Sequence, residues 1–219
     1  MLEKFSEENG INNVTDESHF HLEGYVNGQN CRYWSSSNSK EKHQKTLHSP
    51  KVTVWCAISA KKIIGPFFFE NDQGATVTVT SERYIDMINI FFVPQLQEEG
   101  IDKSSVWFQQ DGATAHTARV SMGTLKALFS GKIISRFGDI LWPPRSPDLT
   151  SSYISDFFLW GYLKGRVYDT PLSSLEQLKA KITTEVRAIS VDVLRRVSAN
   201  LLVRFEECIR RDGRHLDVV

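Results

Sequence analysis

Polar and apolar positions alternate along much of the first half of the chain. In "SHFHLEGY" (18–25) His, Phe, His and Leu alternate before a glycine, a hairpin-like strand pattern, and "CRYW" (31–34) follows the turn-rich "VNGQN". The segment "SSSNSKEKHQKTLHSP" (35–50) is polar and aperiodic and reads as a loop. "KVTVWCAISA" (51–60) is rich in β-branched and aromatic residues. After the turn "KK" comes "IIGPFFFE" (63–70), so three or four antiparallel strands with short connections are predicted.

The period then changes. In "TSERYIDMINIFFVPQL" (80–96) Tyr84, Ile85, Ile88, Phe91 and Phe92 recur at helical spacing, with Thr80 or Ser81 as N-cap. "SVWFQQ" (105–110) reads as a short apolar strand, "HTARVSMGTLKALFS" (116–130) as a helix and "KIIS" (132–135) as another strand. "WPPRSPDL" (142–149) is a stiff connector, because each proline fixes its own φ and restricts the residue before it. Three helices follow: "DFFLWGYLKGRVY" (156–168), "SLEQLKAKITTEVRAI" (174–189), capped by Ser173 or Ser174, and 191–213, with Asp192 near its start. Strands, then alternating helix and strand, then helices predict a mixed α/β domain.

Composition narrows the function classes only a little. The 219 residues suffice for one substantial core, and 41% hydrophobic and 24% charged residues are ordinary for a globular protein. Lys plus Arg and Asp plus Glu are 26 each, so any polyanion binding must come from a local patch. Cys31, Cys56 and Cys208 form no CxxC pair, which suits a reducing compartment and disfavours a zinc site. No apolar run approaches a membrane span, and the polar, acidic start is no secretory signal, so a soluble intracellular protein is expected.

Three acids sit where a chain can aim a side chain into a shared cleft. Asp16 lies in "VTDES" just before or within the first strand pair, Asp111 ends the strand 106–110, and Asp156 opens an apolar helix after the proline connector. Carboxylates brought together repel one another unless cations neutralise them. Hard divalent ions with oxygen ligands do so, and two of them about 3.5–4 Å apart can serve phosphoryl transfer. Each acid also has a plain structural explanation: Asp-Gly at 111–112 is a common turn, Asp156 can be a helix cap, and "TDES" can be a polar strand edge.

Taken together, "VTDESHFHLEGYVNGQNCRYW", "VWFQQDGATAH" and "WPPRSPDLTSSYISDFFLWGYLKGRVY" resemble the transposases of the Tc1/mariner superfamily, of the mariner-like three-aspartate type, from about residue 11 to the C-terminus. The resemblance implies an RNase H-like fold of the retroviral integrase and transposase kind, a mixed five-stranded sheet flanked by helices. Residues 11–170 would be the catalytic core, with 1–10 as a tail and 171–219 as a C-terminal helical extension packed on it. It also implies that Asp16, Asp111 and Asp156 are catalytic and hold two Mg²⁺ or Mn²⁺ ions. These would cleave DNA at transposon ends and transfer the freed strand to target DNA, in the nucleus and with a homodimer as the working form. His116 matches a histidine near the second acid and could contact a scissile phosphate, or it could be a helix-surface residue. Glu17 should face away from the cleft if Asp16 faces it, since neighbouring strand side chains point to opposite faces. Asp148 in "SPDL" is the rival third acid, and Lys61, Lys62 and Arg145 are candidate phosphate contacts that can equally be solvated surface.

The sequence departs from the family in two ways. The helix-turn-helix modules that recognise transposon ends are not accommodated ahead of Asp16, so specific end binding is expected to be weak and transposition impaired. "SSYIS" (151–155) is longer than the family's spacing and lacks its usual proline, which bears on the placement of Asp156. A catalytically inert or domesticated binding module is therefore the alternative to a transposase core, and a stand-alone RNase H-type nuclease is a third reading.

Overall fold

The computed structural model describes residues 11–24, 49–142 and 158–212. Six strands form one sheet in the order β3-β2-β1-β4-β5-β6: β1 Ile11–His21, β2 Lys51–Ile58, β3 Ile63–Phe68, β4 Val106–Gln109, β5 Ile133–Ser135 and β6 Ile140–Leu141. Strands β1 to β3 pair antiparallel, whereas β4 runs parallel to β1 and β5 and β6 continue in parallel. The sheet is thus mixed, as expected, but has six strands where five were anticipated. The extra one is the two-residue β6. It follows a tight turn in which a Cβ on Gly138 would lie 2.5 Å from the Ile133 carbonyl oxygen, so only glycine fits.

Strand β1 differs most from the sequence pattern. It begins at Ile11, so the alternating 18–25 segment is only its end, and its antiparallel partner is β2, with His21 opposite Lys51. The predicted strand 31–34 lies outside the described residues. Strands β2 and β4 are buried almost throughout, which is why they read as unbroken apolar runs rather than alternations.

The helices cover both faces. On one face lie α1 (Ser81–Met87), a π-helical turn (Ile88–Phe92), α2 (Val93–Glu98), α3 (Thr114–Thr117) and α4 (Arg119–Leu128). Thr80 caps α1 through its Oγ1, which accepts from Arg83 N. The π turn sits just ahead of Pro94, whose missing N–H and bulky ring disrupt the regular helical ladder. The apolar cluster on this side includes Trp55, Tyr84, Phe92, Phe108 and Phe129, with Phe108 and Phe129 stacked at 5.2 Å.

On the opposite face lie α5 (Gly161–Val167), α6 (Leu175–Ala188), capped by Ser174, and α7 (Val191–Arg210). Leu163, Leu178, Ile182, Val186 and Leu194 join Val14, Phe20, Val52 and Val54 in a second apolar cluster. Among the described residues no helix is long and apolar enough to cross a membrane.

The predicted helix 116–130 is two helices, broken at Ala118, whose φ of −55° and ψ of 143° are extended. The break changes the phase of the buried face. In one unbroken helix His116 and Val120 would share a face, yet His116 is 2% exposed and Val120 is 56% exposed. Interrupting the helix lets His116 turn inward while Met122 and Leu125 still reach the core.

Candidate active site

The parallel register between β1 and β4 sets the geometry. Val14 stands opposite Gln109, so Asp16 and Asp111, each two residues further on, come level at the end of β4. Two hydrogen bonds fix that end: Thr15 Oγ1 donates to the Gln109 carbonyl (2.9 Å), and Gln110 N donates to the Ile134 carbonyl (3.1 Å). Strand alternation then divides the neighbours of Asp16 between the two faces.

Asp16 lies on the face of α5 to α7, where its Cα partner is Cys56 and Trp160 Nε1 donates to its Oδ2 at 3.0 Å. Trp160 belongs to the segment "DFFLWG" and is itself buried, with its ring edge-on to Phe20. The helical turn entering α5 is therefore tied directly to Asp16. Asp156 lies outside the described residues, as do Asp148, Arg145 and the 151–155 loop.

Asp111 is half exposed and held by its own turn. Its Oδ1 accepts from Ala113 N (2.9 Å) and from His116 Nδ1 (2.5 Å). The other ring nitrogen of His116, Nε2, donates to Glu17 Oε1 at 2.8 Å. Glu17 does face away from Asp16, as the alternation rule requires. The break at Ala118 brings His116 round to that second face to meet it.

A carboxylate–imidazole–carboxylate bridge around a buried ring results. Burial alone disfavours the imidazolium, but Glu17 and Asp111 outweigh it and push the His116 pKa up to about 10. Burial would raise the Asp111 carboxyl, yet the His116 contact and the Ala113 N–H together hold it below its ordinary value. Both nitrogens of His116 are taken, so the ring as it stands offers none to a phosphate.

Further polar side chains support the bridge from beneath. The Tyr84 ring lies 4.4 Å from that of His116, and its hydroxyl donates to Gln110 Oε1 at 2.7 Å. Gln110 Nε2 in turn donates to the His116 carbonyl (3.1 Å) and lies 3.3 Å from Ser135 Oγ. Burial and the nearby carboxylates keep the Tyr84 phenol protonated. Beside the bridge opens a cavity of about 670 Å³, lined by Glu17, His19, Lys51, Thr53 and the turn 113–116. Of the candidate phosphate contacts, Lys61 is exposed, and Lys62 pairs with Glu99.

Sequence reasoning missed Glu17, Tyr84, Gln110 and Trp160 as members of this site. Gln110 and Trp160 stand inside motifs that were noticed. Glu17 and His116 are 99 positions apart, and no local pattern signals such a contact.

The donor chemistry of Asp16 and Asp111 fits a hard divalent cation, both being carboxylates that lie two residues beyond the paired positions Val14 and Gln109. Among the described residues no group of three His, Cys, Asp or Glu side chains is placed to hold a metal ion. The two aspartates thus form at most part of a metal site there.

No protein-family model and no curated protein matches the chain. Solved structures do. The Mos1 mariner paired-end complex with Mn superposes with a TM-score of 0.73 at 18% identity, over 99% of this chain and 60% of that one. The catalytic domain of Mos1 mariner transposase superposes at 0.66 and 18% identity, covering 99% and 90%, and the same domain with raltegravir and Mg does so at 0.66, covering 99% and 91%. The chain spans about 60% of the length of the transposase in the paired-end complexes and nearly all of the separate catalytic domain. Its mixed sheet flanked by helices on both faces is therefore the RNase H-like fold of the mariner transposase catalytic domain.

Proposed function

We propose that the chain is the catalytic core of a Tc1/mariner-type DNA transposase, cleaving DNA strands at transposon ends and joining them to a target. The observation that carries this reading is the register that brings Asp16 and Asp111 level at the centre of the sheet, with Trp160 tying the segment that follows Asp156 to Asp16. Solved Mos1 complexes with left transposon ends, with Mn and with Mg support DNA and a divalent cation as partners. We assign Asp16, Asp111 and Asp156 as the residues that would hold two Mg²⁺ or Mn²⁺ ions. When bound, such ions supply charge neutralisation at the phosphate and activation of the attacking oxygen.

The chain's own residues do the rest. Asp111 presents a carboxylate whose protonation His116 and the Ala113 N–H oppose. Trp160 fixes one oxygen of Asp16. In this reading residues 11–170 form the core and 171–219 an extension of it, and the α6 and α7 side chains in the β1–β2 apolar cluster support that packing. A homodimer and a nuclear location belong to the same proposal.

Incubation with supercoiled DNA and Mn²⁺ tests the activity. Nicking that Asp111→Ala abolishes is the expected result, and nicking unchanged in that variant refutes it. A second reading, an inert binding module, draws on the fact that protein donors already occupy Asp16 Oδ2 and Asp111 Oδ1. Calorimetric Mn²⁺ binding that Asp16→Ala removes would exclude that reading.

A further inference from the structure

We infer that Glu17 is a positioning residue, which through His116 fixes the orientation of the Asp111 carboxylate. The inference rests on the reading of Asp111 as a metal ligand but is decided by geometry that can be measured separately. Asp111 stands at the end of a four-residue strand, half exposed, where a carboxylate ordinarily rotates freely. Two donors remove that freedom. Ala113 N and His116 Nδ1 both bind Oδ1, and among the described residues none is placed on Oδ2, which is left as the presenting atom.

The Ala113 bond belongs to the turn itself. The His116 bond exists only while the ring keeps its rotation, and three contacts set this. Tyr84 packs against the ring at 4.4 Å, Gln110 holds the His116 backbone carbonyl, and Glu17 Oε1 accepts from Nε2 at 2.8 Å. Of these only Glu17 tells ring nitrogen from ring carbon, and so keeps Nδ1 rather than Cδ2 towards Asp111. A flipped ring would satisfy Tyr84 and Gln110 equally well.

Glu17 has little freedom of its own. Its side chain is 14% exposed, and its backbone pairs with Trp55 of β2. Strand β1 therefore orients both acids, Asp16 directly and Asp111 through Glu17 and His116. Carboxylate–histidine pairs that orient a metal ligand in this way commonly change metal affinity by about 10- to 100-fold when broken.

The test uses the full chain and two readouts. Proton–nitrogen NMR of the His116 ring should show a slowly exchanging Nδ1 proton in the wild type. It should disappear in Glu17→Met, which keeps volume but removes the acceptor, and persist in Glu17→Gln, whose Oε1 still accepts. Mn²⁺ affinity, read by calorimetry, should fall about 10- to 100-fold in Glu17→Met and stay within a few-fold of wild type in Glu17→Gln. Circular dichroism checks folding, and Glu17→Ala replaces Glu17→Met if the latter does not fold. An Nδ1 proton retained in Glu17→Met overturns the inference. Its loss in Glu17→Gln as well assigns the effect to charge and overturns it too. If the wild type binds no Mn²⁺, or Asp111→Ala leaves binding unchanged, the metal reading falls, and the NMR signal alone still decides the positioning.

Discussion

Trp160 joins two roles that are usually separate, since one edge of its indole fills the core while its N–H reaches Asp16. Trp160→Phe keeps an aromatic ring and removes the donor, so the loss of a hydrogen bond to a charged group should cost about 1.5–3 kcal/mol. Urea denaturation measures it, and an unchanged midpoint would mean that the bond contributes nothing. At the far end of the chain, hydrogen bonds from Arg210 and then Arg211 hold the Glu207 carboxyl at about 2, below its ordinary 4.5. Because the folded value is depressed, its contribution is complete above pH 4.5 and is lost as pH falls through about 2. Carboxyl NMR should find that low midpoint, and replacing both arginines by alanine should return it towards 4.5. Single residues also mark the limits of the sequence. The turn at Asp111 was legible in "QQDGA", whereas the contact of Glu17 depends on a partner brought from another element by a break in helix phase.

At the scale of elements, β2 and β4 were legible because burial on both faces leaves an unbroken apolar run, and the helices with an apolar stripe because burial on one face writes a period into the residues. The start of β1 was not. Ile11–Val14 joins the sheet through its parallel pairing to β4, a contact that leaves no alternation nearby. Strand β6 was missed for a different reason, since two residues carry no period and the turn before it rests on one glycine. Gly138→Ala should therefore displace the turn and remove β6 while β1 to β4 persist. Amide chemical-shift changes confined to residues 130–142 would bear this out, and changes spread through β2 and β3 would contradict it. The split between α3 and α4 has the same origin as the hidden role of His116: the sequence is helical on both sides of Ala118, and only packing decides the phase.

Over the whole molecule, one sheet separates two apolar clusters, one under α1 to α4 and one under α5 to α7. Both rest on the same β1, β2 and β4 backbone, so they should unfold together despite sharing few side chains. Phe92→Ala on one side and Ile182→Ala on the other, each at fully buried positions, should cost about 3–5 and 2–5 kcal/mol respectively. Both should shift one transition that fluorescence and circular dichroism report alike; separate transitions would mean that α6 and α7 form an independent unit. The place of β1 in that sheet has one more consequence. Its first residues, Ile11–Val14, pair with β4 and Val14–His21 pair with β2, so opening it around Val14 requires the sheet to part at its middle rather than fray at an edge. The amides next to Val14, where the two pairings meet, should then exchange with deuterium only through global unfolding. A chain of this kind can lose its chemistry by replacing one side chain while its frame stays as slow to exchange as before.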